Sequence, residues 1–141
     1  MAKNILSSKK GASSIMVMLM LIVLVVFGVA ALTTALSNIR LGQKVQSWNA
    51  KYYAAEAEAS ERYAKIDKAV AQSFLEGPDI AGSIKEYVRG LAFDVSVEML
   101  GDAYEFSYET WSGDIGISVM LSLDVKDKDS LRAVRWKEIQ Q

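Results

Sequence analysis

The chain has 141 residues, a formal net charge of −1, no cysteine and no histidine. That length builds about one domain, and the missing residue types exclude disulfides, thiol catalysis, the commonest zinc sites and the most frequent general base. All seventeen acidic residues lie beyond Leu36, against thirteen of the sixteen Lys and Arg, so the long C-terminal part is mildly acidic and lacks the basic face that nucleic acid requires.

Lys9-Lys10-Gly11 leads directly into an apolar run. No charged residue falls between Lys10 and Arg40, and Ile15 to Leu36 is apolar apart from Gly28, Thr33 and Thr34. At 1.5 Å per residue, 22 helical residues span roughly 33 Å, the thickness of a bilayer's hydrocarbon core. Lipid offers the backbone no hydrogen-bond partner, so the run must be a helix. A basic stretch before an apolar run is also an export signal, and a small-residue cleavage site can be read near Thr33-Thr34-Ala35. Lys3, Lys9 and Lys10 flank one side of the run and Arg40, Lys44 and Lys51 the other, so charge does not settle the topology.

The helical pattern continues from Asn38 to Leu75. Val45, Trp48, Tyr52, Ala55, Ala59, Ile66, Val70 and Phe74 recur at the spacing of one helix face. Glu58 with Arg62, and Glu61 with Lys65, form i,i+4 pairs expected on the outer face. Glu76-Gly77-Pro78 is the stop: glycine suits a left-handed cap and proline cannot continue a helix. The stripe would expose a Trp and a Phe to water unless downstream residues cover it.

Ser83-Ile84-Lys85-Glu86 fits a capping box opening a short helix that ends at Gly90. Period-two alternation then runs through Phe93–Leu100, Tyr104–Glu109 and Ile115–Val125, the signal of antiparallel strands. Two-residue loops at Gly101-Asp102 and Ser112-Gly113 set Val97 opposite Phe106 and Phe106 opposite Val119, with every apolar residue on one face. A fourth strand over residues 133–139 would point Val134 and Trp136 inward. The expected fold class is therefore α+β: a long N-terminal transmembrane and amphipathic helix packed on a three- to four-stranded antiparallel meander.

The same register places Glu98 opposite Glu105 and Asp94 opposite Glu109 on the outer face. Like charges directly opposite destabilise a sheet, and a hard cation such as Ca²⁺ would relieve them. The competing reading is a solvated face balanced by Arg135 and Lys137 on a neighbouring strand. No loop carries the ligand density of a dedicated Ca²⁺ site, so no metal is assigned. There is no phosphate-cradling glycine loop and no nucleophile motif, so the chain reads as a structural protein without a cofactor and not as an enzyme.

Three blocks taken together, Gly11-Ala12 after basic residues, Gly28-Val29-Ala30-Ala31 at the end of the apolar run, and Ala54-Ala55-Glu56-Ala57 beyond it, resemble the N-terminal half of type IV prepilins, most closely the PilX-type minor pilins. The resemblance implies a leader over 1–11 with Lys9 and Lys10 as its basic residues. A prepilin peptidase would cut after Gly11, leaving Ala12 as the first mature residue. It further implies a membrane helix over 12–39 that packs on other pilin subunits through Met18, Ile22, Val25, Gly28 and Leu32, Gly28 being either an ordinary glycine of a membrane helix or a soft point where the helix bends on packing. The amphipathic extension over 40–76, a linker and short helix over 77–92 and the sheet over 93–141 would lie outside. The location implied is the cytoplasmic membrane, single-pass, followed by a surface pilus or secretion pseudopilus, with membrane lipid, peptidase and fellow subunits as partners.

One position departs from the common family pattern. Most pilins carry Glu at the fifth mature position, where it pairs with a neighbouring subunit's amine; here that position is Met16. A carboxylate in a bilayer costs a few kcal/mol unless paired. PilX-type minor pilins and pseudopilus tip subunits also lack it, which implies a minor subunit, not a major one. An uncleaved single-pass protein with a small binding or sensory ectodomain, and a secreted domain released by signal peptidase, are the alternatives.

Overall fold

The computed structural model describes the backbone of residues 3–77 and 79–141, and the side chains of Gly11 and of the described residues from 13 onward. The fold is α+β. Its elements in order are α1 (Lys3–Leu75), α2 (Ile80–Arg89), β1 (Ser96–Leu100), β2 (Ala103–Ser112), β3 (Ile115–Asp124), a 3₁₀ turn (Lys128–Ser130) and β4 (Arg132–Gln140). The residues divide into two compact units, Met1–Gln46 and Ser47–Gln141, and α1 contributes to both.

The first unit is helix alone. Helical backbone already includes Lys3–Gly11, the stretch assigned to a leader. The large apolar side chains from Ile15 to Leu36 are 49–71% exposed, so none is covered by the rest of the chain. The hydroxyls in this run are satisfied locally: Thr33 Oγ1 donates to the Val29 carbonyl at 2.8 Å and Thr34 Oγ1 to that of Ala30 at 3.0 Å. Such back-bonding removes the need for an external partner. The helix is long and apolar enough to cross a membrane.

In the second unit, one face of α1 from Ala55 onward lies against the sheet. Ala55, Ala59, Ile66, Ala69 and Val70 are buried, with Tyr52, Tyr63 and Phe74 partly so. Opposite them lie Tyr104, Phe106, Tyr108, Ile117, Val119, Leu121 and Leu123 from β2 and β3. Each large side chain so buried is worth about 1.5–3 kcal/mol. The start of the stripe is not covered: Trp48 stays 40% exposed and stacks on Tyr52 at 5.4 Å. α1 stops at Leu75, and Gly77 adopts φ +137°, a conformation other residues rarely take. Pro78, the other half of the predicted stop, lies outside the described residues.

α2 begins before the predicted Ser83. Its cap is Asp79, whose carboxylate accepts from the Gly82 N–H at 3.1 Å. The earlier start adds a turn that brings Ile80 and Ala81 onto the core beside the buried Ile84 and Val88.

The sheet is an antiparallel meander in the order β1-β2-β3-β4. The first hairpin has the predicted register, with Val97 opposite Phe106 and Gly101 at φ +64° in its loop. Pairing starts only at Ser96, so Phe93 and Val95 precede the strand; Phe93 instead meets Tyr108 edge-on at 6.2 Å. The second hairpin is offset by two residues from prediction. Its loop is Gly113-Asp114, Gly113 taking φ +67°, so Phe106 faces Leu121 and Tyr108 faces Val119. A shift of two keeps every side chain on its face, and hydrophobic alternation alone could not separate the two registers. The left-handed glycine at the first loop position does.

β4 departs further. Val134 falls at a bulge opposite Met120/Leu121 and is 57% exposed. Trp136 pairs with Val119 on the inner face, yet it is 38% exposed, because β4 is the outermost strand. Neither is the core residue the alternation suggested.

Two outcomes test this packing. Gly116 lies under the ring of Trp111, its cross-strand partner; a Cβ there would sit 2.7 Å from Trp111 Cε3 and 2.9 Å from the Thr110 carbonyl. Gly116→Ala is expected to lose about 1–3 kcal/mol in equilibrium unfolding, the usual cost of overpacking. The Tyr108 hydroxyl donates to the Ala59 carbonyl at 2.7 Å, and burial pushes its pKa up to about 12. A raised folded-state value means the neutral phenol stabilises the fold below about pH 10, the value in an unfolded chain, and that this contribution fades as pH rises from 10 toward 12. Tyr108→Phe is expected to lose about 1 kcal/mol at pH 7 and to flatten the fall of stability above pH 10, followed by circular dichroism.

Candidate functional site

Two features meet the sequence expectations for a site: the bare apolar length of α1 and the acidic outer face of the sheet.

On α1, Met18, Ile22, Val25 and Leu32 are each more than half exposed, and Met16 is 62% exposed among apolar neighbours. Gly28 is helical, with open space where a side chain would stand. Together they lie on a continuous exposed apolar surface, in which Gly28 is one of several small residues beside Ala30 and Ala31. Gly11 is likewise helical and open. The side chains of Lys9, Lys10 and Ala12 lie outside the described residues.

On the sheet, Glu98 and Glu105 are directly opposite. Asp94 lies before β1 begins and is not paired with Glu109, whose partner on β3 is Ser118. Asp94 and Glu109 instead line an open cleft of about 800 Å³ that also holds Arg62, Phe93 and Tyr108. Among the described residues no group of three or more acidic side chains is placed to hold a metal ion.

The charge balance comes from a place the alternation did not indicate. Arg135 and Lys137 pair with Met120 and Ser118, a full strand away from Glu105 and Glu109. The cations that reach the acidic hairpins are Lys51 and Arg62 of α1 and Lys126 after β3, whose Nζ stands 3.6 Å from Asp102 Oδ2. Arg62 was expected on the outer face of the helix, but its side chain turns onto the sheet. One guanidinium nitrogen donates to the Glu109 carbonyl at 2.9 Å, the other holds Glu58 Oε1 at 2.5 Å, and the group stands 4.8 Å over the Phe93 ring. The i,i+4 pair is therefore real, and the second interaction decides where it points. Glu61 and Lys65 remain exposed, 2.7 Å apart. Lys51 Nζ meets Asp114 Oδ1 at 2.7 Å across the β2–β3 loop, and that hydrogen bond holds the Asp114 carboxyl below the ordinary range.

Tyr108 and Thr110 form the seam with the helix. Thr110 Oγ1 donates to the Ala55 carbonyl at 2.9 Å, as Tyr108 does to that of Ala59. Only a small side chain at 55 and 59 lets a sheet hydroxyl reach the helix backbone. Spacing in the sequence marked these alanines as part of the stripe, and nothing in it marked their carbonyls as acceptors.

The acids are spread over β1, β2 and the preceding segment, with Asp94, Glu98 and Glu109 exposed, an arrangement that favours the solvated face over the cation. The melting temperature in Ca²⁺ and in chelator is expected to be the same; a rise with Ca²⁺ would instead assign a cation to Glu98 and Glu105.

Comparison with family models, with curated proteins and with solved structures finds no match to this chain.

Proposed function

We propose that this chain is a minor pilin or pseudopilin, a structural subunit that is matured at Gly11, held in the cytoplasmic membrane by α1 and then packed through that helix into a pilus or secretion pseudopilus. The observation that carries the reading is the contrast along one uninterrupted helix. From Ile15 to Leu36 its apolar side chains are uncovered on every side, whereas from Ala55 to Val70 one face is sealed by a small sheet. A pilin subunit needs both: a bare helix to exchange lipid for other helices, and a folded head carried on the same rod. Met16 in place of a membrane carboxylate supports a minor subunit, since no neighbour's amine is then required to neutralise it. Lys9-Lys10-Gly11-Ala12 supplies the processing motif.

The N-terminal sequence of the mature protein tests this reading. Cells with an active prepilin peptidase are expected to yield a chain beginning at Ala12, and Gly11→Leu is expected to leave Met1 or Ala2 at the start with no subunit in sheared fibres. A wild-type protein that keeps residues 1–11 would instead be an uncleaved single-pass membrane protein, and one beginning near Leu36 a secreted domain.

A further inference from the structure

The two outer strands of the sheet differ in chemistry. β1 and its neighbour β2 carry Glu98, Glu105 and Glu109 and no basic residue, whereas β4 carries Arg132, Arg135 and Lys137 against Glu138 alone. Each outer strand also exposes large apolar side chains: Met99 at 59% and Leu100 on β1, Trp136 and Val134 on β4. Among the described residues no strand pairs with the free side of either. Open edges of this kind are templates for another strand, and proteins normally blunt them.

We propose that β4 of one copy pairs with β1 of a second copy, joining the sheets of neighbouring subunits edge to edge. A meander of four antiparallel strands has edges that run in opposite directions, so copies standing side by side in one orientation bring β4 antiparallel to the next β1. The register follows from the structure. The bulge at Met120/Leu121 leaves Arg135–Gln140 as the regular run of β4, and β1 has five residues. In β1, Val97 and Met99 share the inner face with Phe106 and Tyr104; in β4, Trp136 shares it with Val119. Matching face to face allows alignments two residues apart. Only the one with Glu98 opposite Lys137 keeps all five residues of β1 inside the regular run. It sets Met99 against Trp136 on the inner face and Leu100 against Arg135 on the outer one.

The main chain agrees. The Gln141 N–H donates to the Asp114 carbonyl, and antiparallel alternation from that bond turns the N–H and C=O of Trp136 and Glu138 away from β3, toward the free edge. These are the residues that face Met99 and Val97 in the alignment. Pairing of β4 with β4 would oppose basic residues to one another, and pairing of β1 with β1 would oppose acids, so the charges favour the unlike, head-to-tail contact. Such a contact is heterologous and leaves each copy an edge for the next one. It is a contact between the heads of copies anchored by α1 in one membrane, and rests on the reading above only for that common orientation.

The native chain lacks cysteine, so cross-links report cleanly. The full chain in membranes of the expressing cell is oxidised mildly. The double variant Met99→Cys/Trp136→Cys is expected to give a ladder of disulfide-linked multimers, while each single variant stays monomeric. Adding Glu98→Lys should reduce the ladder several-fold, and adding Lys137→Glu as well should restore it. Dimers from either single variant, or a ladder indifferent to the charge exchange, would overturn the proposal. Single-cysteine variants at Met18, Ile22, Val25 and Leu32, linked by a membrane-permeant bis-maleimide, separate the two readings. Helix cross-links without a ladder sink the edge contact alone; absence of both sinks helix-mediated assembly with it.

Discussion

The short seam where the sheet touches the backbone of α1 governs the second unit. Thr110 and Tyr108 each spend a buried hydroxyl on a helical carbonyl, at Ala55 and Ala59. A carbonyl has two lone pairs, so it accepts this bond while keeping its place in the helix ladder. Alanine at both positions, fully buried, is what lets the strand come close enough. Around the seam, Ile66, Val70, Phe106 and Leu121 supply the apolar burial. The hydroxyl bonds fix where on the rod the sheet sits, a choice that non-directional burial leaves open. Among the described residues no buried side-chain nitrogen or oxygen is left without a partner, so the interface is closed chemically as well as sterically.

The same helix meets two demands along its length. Between Ile15 and Leu36 every polar group is satisfied within the helix, including the hydroxyls of Thr33 and Thr34, and nothing but apolar surface faces outward. Water would oppose that surface, while lipid or other apolar helices would accept it. From Ser47 onward the helix becomes amphipathic, with Lys51 and Arg62 leaning over to the sheet's acidic loops and strands. The reading as a pilin-like subunit draws on this division of labour within one element, and the polarity between β1 and β4 gives the head its own means of addressing a neighbour.

Electrostatics in the head is arranged across elements. A stretch of 34 residues between Gly90 and Val125 holds seven acids and no cation. Part of that imbalance is met from outside the stretch, by Lys51 of the helix at Asp114 and by Lys126 at Asp102, while Arg62 pairs with Glu58 and reaches only the Glu109 carbonyl. The contacts of Lys51 and Arg62 tie the β2–β3 hairpin to the helix. They also leave the basic residues of β4 uncommitted: Arg135 and Lys137 face Met120 and Ser118, neither of which is charged.

The fold class, the apolar span, the stripe of α1, the end of the helix at the Gly77 stop and the first hairpin's register could be read from the sequence because each rests on local periodicity or a local turn. A 3.6-residue recurrence identifies a helix face wherever it occurs, and Gly101-Asp102 fixes a two-residue loop without reference to anything distant. What the tertiary structure alone decided lies where two local solutions were equivalent or where a partner is far away in the chain. Both loops around Gly113 keep the same faces, so only the left-handed glycine at the first loop position chose between them. Arg62 satisfied a helical pairing rule on an exposed face, yet it turned to a carbonyl and a ring contributed 31 to 47 residues later. Trp136 has the alternation of a core residue and remains half open, because alternation states which face a side chain is on and not whether another element reaches far enough to cover it.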